Sequence, residues 1–237
     1  MTDDKARPLA IVTGVGPGTG TALVRRFHAG GYRVAMLARD RDRLAWLAAE
    51  MPAVIAGPCD VADEAALRGA LGDLNGRFGP PKMVVHNAVG GAFGTFADIA
   101  PDILRRNFEI NVMALLHLAR RVAPGMIAAG GGALVVTGNT SAQRGKANFA
   151  GFAPTKAAQR ILAESIARDL GPKGVHVAYL VIDAVIDVPW TRARYKDAPA
   201  DFFIKPSAIA DEVWHIAHQD RSAWSFLSEV RPYREVW

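Results

Sequence analysis

Cysteine is nearly missing from this chain: Cys59 is the only one in 237 residues. An intramolecular disulfide is therefore impossible, and a secreted scaffold held by such bonds is excluded. Apolar runs of the roughly 18–20 residues that span a bilayer are also missing, so no membrane partner is expected. The first residues, Met1-Thr2-Asp3-Asp4-Lys5, are charged and run almost directly into an apolar stretch, unlike a secretory leader. The expected location is cytoplasmic. His28, His86, His117, His176, His215 and His218 are too scattered to form a metal-ligand set, and no nucleophile elbow of hydrolase type occurs. Neither a metal nor hydrolase chemistry is expected. Basic residues fall in scattered pairs (Arg25-Arg26, Arg105-Arg106, Arg120-Arg121) without an aromatic-rich basic strip. The net charge of +5 therefore reads as solvated helix faces rather than a nucleic-acid partner, although a positive surface attracts an anionic cofactor.

Half the residues are apolar, too many for a disordered chain, and glycine and proline show no repeat period. Short apolar runs at Leu9–Thr13, Arg33–Ala38, Ala53–Ala56, Met83–His86, Ala133–Thr137 and Val175–Ile182 read as strands. Amphipathic stretches at Thr21–Ala29, Arg41–Glu50, Glu64–Arg77, Pro101–Ala129 and Ala150–Leu170 alternate with them as helices. Such alternation predicts an α/β protein with a parallel sheet covered on both faces, and no linker interrupts it. One domain over residues 1–237 is expected. The exception is Asp183–Pro206, a long segment without clean periodicity, which predicts a functional or disordered loop. A last helix at Ser207–Gln219 and a final strand at Ala223–Leu227 complete the reading.

The first strand runs into Thr13-Gly14-Val15-Gly16-Pro17-Gly18-Thr19-Gly20 and then a helix. Glycines at the first strand–helix junction allow a tight turn and let backbone N–H groups approach a pyrophosphate at the positive end of the helix. At the tip of the second strand stand Ala38, Arg39 and Asp40. An acidic residue at the tip would bind both ribose hydroxyls of NAD, whereas a guanidinium grips the 2′-phosphate of NADP. Arg39 favours NADP; the other reading has Arg39 merely exposed and Asp40 reaching the ribose.

The glycine loop resembles that of the short-chain dehydrogenases/reductases. The likeness extends through Cys59-Asp60-Val61, Asn87-Ala88, Asn111 and Lys156. It implies a Rossmann-type doubly wound sheet with strand order 3-2-1-4-5-6-7 and a nicotinamide cofactor. The cofactor would be held by Thr13, Gly14, Gly16, Gly18, Thr19, Gly20, Arg39, Asp60, Val61, Asn87, Ala88, Lys156 and Ile186. By the same resemblance, Asp60 meets the adenine, and a homodimer or homotetramer forms through the two long helices. His86 and Val89 depart from the family's Asn-Asn-Ala-Gly, and a side chain at Val89 crowds the cofactor floor.

The reacting end departs further. The resemblance implies a Tyr-x-x-x-Lys pair that moves a proton, a serine that fixes the carbonyl, and an asparagine, here Asn111, that orients a relay water. This chain reads Phe152-Ala153-Pro154-Thr155-Lys156, and Asn139 stands at the serine position, with Ser141 two residues on. Alternation would place Asn139 and Ser141 on one side if the strand stays extended. The Asn139 amide still has a donor for a carbonyl oxygen, but phenylalanine carries no proton. Water, Lys156, Tyr195, Asp183 and Asp187 are candidate proton sources. Trp190, Tyr195, Phe202 and Phe203 would line a substrate lid or anchor the loop in the core. The expected catalytic set is Asn111, Asn139, Ser141 and Lys156, acting on a small-molecule carbonyl, quinone or imine. The alternative is an NADP(H)-binding protein without turnover; a subunit that needs no cofactor is disfavoured by the glycine loop and Asp60.

Overall fold

The computed structural model describes residues 7–235. The leading residues Met1 to Lys5 and the two ends of the expected 1–237 span lie outside them. Strands β1 (Leu9–Thr13), β2 (Arg33–Ala38), β3 (Val54–Pro58), β4 (Met83–His86), β5 (Gly132–Asn139) and β6 (Val175–Ile182) alternate with helices. Helices α1 (Thr19–Ala29), α2 (Arg41–Glu50), α3 (Glu64–Phe78), α4 (Pro101–Phe108), α5 (Ala114–Ala128) and α6 (Ala153–Leu170) lie between them. The long segment after β6 is structured: β7 (Val185–Ile186) pairs with β8 (Phe203–Ile204), and α7 (Pro189–Arg194) lies between. Helix α8 (Pro206–Ala217) and β9 (Leu227–Val230) follow.

The main sheet has seven strands in the order β3-β2-β1-β4-β5-β6-β9, all parallel. This is the expected doubly wound order, with the seventh position filled by the ninth strand in chain order. The final strand lies later than expected, because Asp220 caps a 3-10 turn at Arg221–Ala223 by accepting from Ser222 N–H. The third strand starts at Val54 rather than Ala53, whose φ of 62° is left-handed and outside strand geometry. Five of the six residues of β2 are buried, as a strand covered on both faces requires. Alternate side chains then feed two cores. Leu9 and Ile11 pack with α3, α5 and α6 residues such as Leu71, Leu118 and Ala163, while Ala10 and Val12 pack with Leu23, Leu44 and Val213 of α1, α2 and α8.

The stretch Pro101–Ala129 is not one regular helix. A π turn, Glu109–Met113, separates α4 from α5 and carries Asn111. No described helix is long and apolar enough to cross a membrane.

Candidate active site

Strand order reverses between β1 and β4, and a cavity of about 770 Å³ opens at the carboxyl ends of the strands there. Its lining brings together Gly14, Gly16, Gly18, Thr19 and Gly20 from the glycine loop, Arg39 and Arg43 beyond β2, and Asp60 and Val61 beyond β3. Asn87, Ala88 and Val89 follow β4, and Ile186, Val188 and Trp190 come from the segment after β6. That volume is of the size a dinucleotide-class ligand needs.

Two of the loop glycines are dictated by the fold itself. Gly14 has φ +73°, and a Cβ there would lie 2.4 Å from the Ala88 backbone; one at Gly20 would lie 2.5 Å from the Gly14 carbonyl oxygen. A Cβ at Gly16 would meet no protein atom within 4 Å, so the space above it is free for a ligand. Thr19 Oγ1, at the start of α1, is buried without a hydrogen-bond partner among the described residues. A buried hydroxyl left unpaired beside helix-terminal N–H groups suits an anionic oxygen.

At the wall beyond β2, Asp40 is spent on the protein. It caps α2 by accepting from Arg43 N–H at 3.0 Å and also pairs with the Arg43 guanidinium at 2.8 Å. Arg39 is exposed and makes no ion pair among the described residues. Arg43, which the sequence reading did not single out, places a second guanidinium on the same wall; its spacing of four from Arg39 across a helix start was the available signal. Partial burial works against ionisation of Asp60, but the Ala62 N–H, Arg106 and, at longer range, Arg39 hold its carboxyl below the usual range.

Several expected residues lie under the cavity floor instead of lining it. Thr13 is fully buried, shares a 3.0 Å hydrogen bond with His86 Nδ1 and accepts from Ala88 N–H. Burial, helped by nearby Lys156, lowers the His86 pKa to about 3, so the ring is neutral, and its Nε2 has no well-formed hydrogen bond. Asn87 ties the floor together, donating to the Gly14 carbonyl at 2.8 Å and accepting from Thr137 Oγ1 at 2.9 Å. Val89, 60% exposed, projects from the floor into the cavity.

Lys156 is 2% exposed, not on an open helix face. Its Nζ donates to the Thr137 carbonyl at 3.1 Å and to Gln159 Oε1 at 2.5 Å. Burial pushes its pKa down to about 7. The Asn111 amide is saturated: Oδ1 accepts from Gly90 N–H, and Nδ2 donates to the Gly90 carbonyl and to Thr155 Oγ1. Asn111 therefore braces the chain after β4.

Asn139 and Ser141 do not share one side of an extended strand. The strand stops at Asn139, whose Oδ1 accepts from Ser141 N–H at 3.1 Å as the chain enters a 3-10 turn at Thr140–Ala142. Ser141 is buried and lines a separate cleft of about 330 Å³ with Arg144, Lys146 and Phe149. Phe152 is 8% exposed and packs beneath Gly91, its ring 6.3 Å from that of Phe93.

The other proton-source candidates divide by their partners. Asp187 forms a two-pronged pair with Arg192 at 2.7 and 2.8 Å, which holds its carboxyl below the usual range, so it is ionised and has no proton to give. Asp183 faces Arg231 at 3.9 Å. Tyr195 packs on Phe202, and Phe202 packs edge-on against Phe203. Of these only Phe203 is buried, and Trp190, 64% exposed, is the aromatic on the cavity wall.

Residues 8–197 match the family described as short chain dehydrogenase. L-xylulose reductase from Bos taurus is 32% identical over 189 residues, covering 79% of this chain and 75% of that protein. A short-chain dehydrogenase from Rhodopseudomonas palustris superposes with a TM-score of 0.82 at 30% identity, over 95% of this chain and 99% of the other. A metagenomic short-chain oxidoreductase, solved in complex with NADP, gives a TM-score of 0.83 at 27% identity over 95% and 97% of the two chains. The glycine loop at the switch point, the sheet order and these likenesses agree: the chain belongs to the short-chain dehydrogenase family of oxidoreductases.

Proposed function

We propose that this protein is an NADP-dependent oxidoreductase acting on a small organic carbonyl, quinone or imine, by a site that departs from the usual proton-transfer set. The observation that carries the reading is the unspent polar rim of the cavity, Thr19 Oγ1 at the glycine loop and Arg39 at the far wall, with the Asp40-paired Arg43 beside it. Those residues fit a dinucleotide bearing an extra phosphate. Gly16, Gly18 and Gly20 with Thr19 would receive the pyrophosphate, and the two guanidiniums the 2′-phosphate. Asp60, Val61, Asn87, Ala88 and Ile186 would line the remainder of the ligand. Bound NADP(H) supplies or accepts the hydride.

The chain's own residues do the rest. Asn87 holds the glycine loop against the floor, and the Asn139 Nδ2 group, its oxygen already spent, is the donor assigned to the substrate oxygen. Lys156 and Thr13 support that floor from below. Ser141, turned into its own cleft, is withdrawn from the catalytic set. Quinones and iminium ions suit the site better than ketones, because they depend less on a positioned proton donor. NADPH consumption across carbonyl, quinone and imine panels tests the reading. Equal affinity for NADH and NADPH, with Arg39→Ala changing neither, would sink the NADP assignment.

Phe152 favours a second reading, NADP(H) binding without turnover. Tight NADPH binding with no consumption on any panel selects it. Association of copies through α4, α5 and α6 fits the exposed Ile103, Ile127 and Ile161, and light scattering checks whether a dimer or tetramer forms.

A further inference from the structure

We propose that Gln159 is a positioning residue that clamps the Lys156 amine beneath the cavity floor and fills the interior path between that amine and the Asn111 carbonyl. Protons then reach the substrate only through the open mouth. The clamp deepens the oxidoreductase reading and rests on it for its kinetic consequence, though not for its geometry.

The bridge is continuous and buried. Lys156 Nζ donates to Gln159 Oε1 at 2.5 Å, and Gln159 Nε2 donates to the Asn111 carbonyl at 2.7 Å. Tyr179 Oη approaches Gln159 Oε1 at 3.4 Å from β6. Gln159, Asn111 and Tyr179 are fully buried, and Lys156 nearly so. None of the polar side-chain atoms of Lys156, Gln159, Asn111 or Thr155 is left unsatisfied. Reversing the Gln159 amide would set its NH2 against the amine and its oxygen against a carbonyl, losing both bonds, so one orientation is enforced. A carboxamide neither takes nor releases a proton near neutral pH, and here it occupies the position a mobile water would need. The π turn that carries Asn111 is what brings its carbonyl within reach of α6.

The electrostatic surroundings make the clamp matter. Across the floor Lys156 meets His86 on β4, whose neutral ring adds no negative charge, and Tyr179 on β6, which burial keeps protonated. No carboxylate partner is recorded for the amine among the described residues. Its two neutral acceptors, Thr137 and Gln159, are therefore what sustains the charged form in a buried site.

The test reads the Lys156 amine by NMR of lysine labelled at Cε, in the cofactor-free full chain, with the resonance assigned by Lys156→Met. In Gln159→Leu one acceptor is lost, and the titration midpoint falls by about one pH unit. In Gln159→Glu, which keeps the size, a carboxylate faces the amine and the midpoint rises by about one pH unit or more. Equal midpoints in wild type and Gln159→Glu would overturn the clamp, even if Gln159→Leu fails to fold. In turnover, the pH profile of NADPH oxidation by a quinone should show no break at the Lys156 midpoint in the wild type. A break there would overturn the closed path. Absence of turnover on every panel would instead defeat the oxidoreductase reading, and the NMR midpoints would still judge the clamp.

Discussion

Along the rim of the cavity, from the glycine loop to Arg39, polar groups are left over, whereas beneath the floor around Lys156 they are nearly all consumed. Among the described residues Thr19 Oγ1 has no partner and Arg39 no ion pair, yet the polar side-chain atoms of Lys156, Gln159, Asn111 and Thr155 all find partners within the fold. Leaving a buried hydroxyl unpaired costs on the order of 1–3 kcal/mol unless a ligand completes it. The contrast separates a surface prepared for an outside molecule from one that has become scaffold. It also gives Lys156 a structural use that needs no tyrosine beside it. Here Lys156 braces Thr137, which holds Asn87, which holds the glycine loop.

The contrast breaks most visibly if the reacting end is repaired. Phe152→Tyr combined with Asn139→Ser should raise NADPH-dependent carbonyl reduction by roughly 10²- to 10⁴-fold, the usual worth of a positioned proton donor. Assays on the purified double variant decide it, and no gain would mean that the mouth itself has diverged. The opposite end is tested by removing both guanidiniums. Arg39→Ala with Arg43→Ala should weaken NADPH binding about 10- to 100-fold, with NADH changed less than about twofold. Fluorescence titration reads both, and parallel losses would show that the rim does not sense the phosphate.

Acid sharpens the view of the layer between the two ends. An unfolded histidine titrates near pH 6.5 and His86 in the fold at about 3, so the unfolded chain binds the extra proton in that window. The contribution of His86 is complete above the unfolded value and lost as pH falls toward the folded one. By about pH 5 the loss should reach roughly 2 kcal/mol. Denaturant melts across pH check this, with His86→Asn flattening the slope. Lys156 adds a second rise of the same sign, between its folded value of about 7 and the unfolded value near 10.5.

The smallest effect belongs to Asp40. If it is an N-cap rather than a ribose ligand, Asp40→Ala costs about 1 kcal/mol of stability and leaves NADH binding within about twofold. A collapse of NADH affinity would restore the ribose reading.

Much of this architecture was legible along the chain. Strands such as Leu9–Thr13 and Val175–Ile182 stand out because both faces are buried and nearly every residue is apolar. The glycine loop was legible because steric demands at Gly14 and Gly20 admit nothing larger. The segment from Asp183 looked irregular because its strands are two residues long, too short for a period to register. The clamp was illegible for another reason. Gln159 lies on α6 and Asn111 in a π turn 48 residues earlier, and helical spacing alone predicts neither the turn nor the contact. Asn139 and Ser141 were misplaced for a like cause, since a strand's alternation says nothing about where the strand stops.

By itself, the sequence determined the sheet and its cofactor-type loop, because these follow from local sterics and burial period. Which polar groups remained free was decided only in three dimensions. A hydrogen bond spends a group on whatever the fold brings within about 3 Å, and that neighbour comes from elsewhere in the chain.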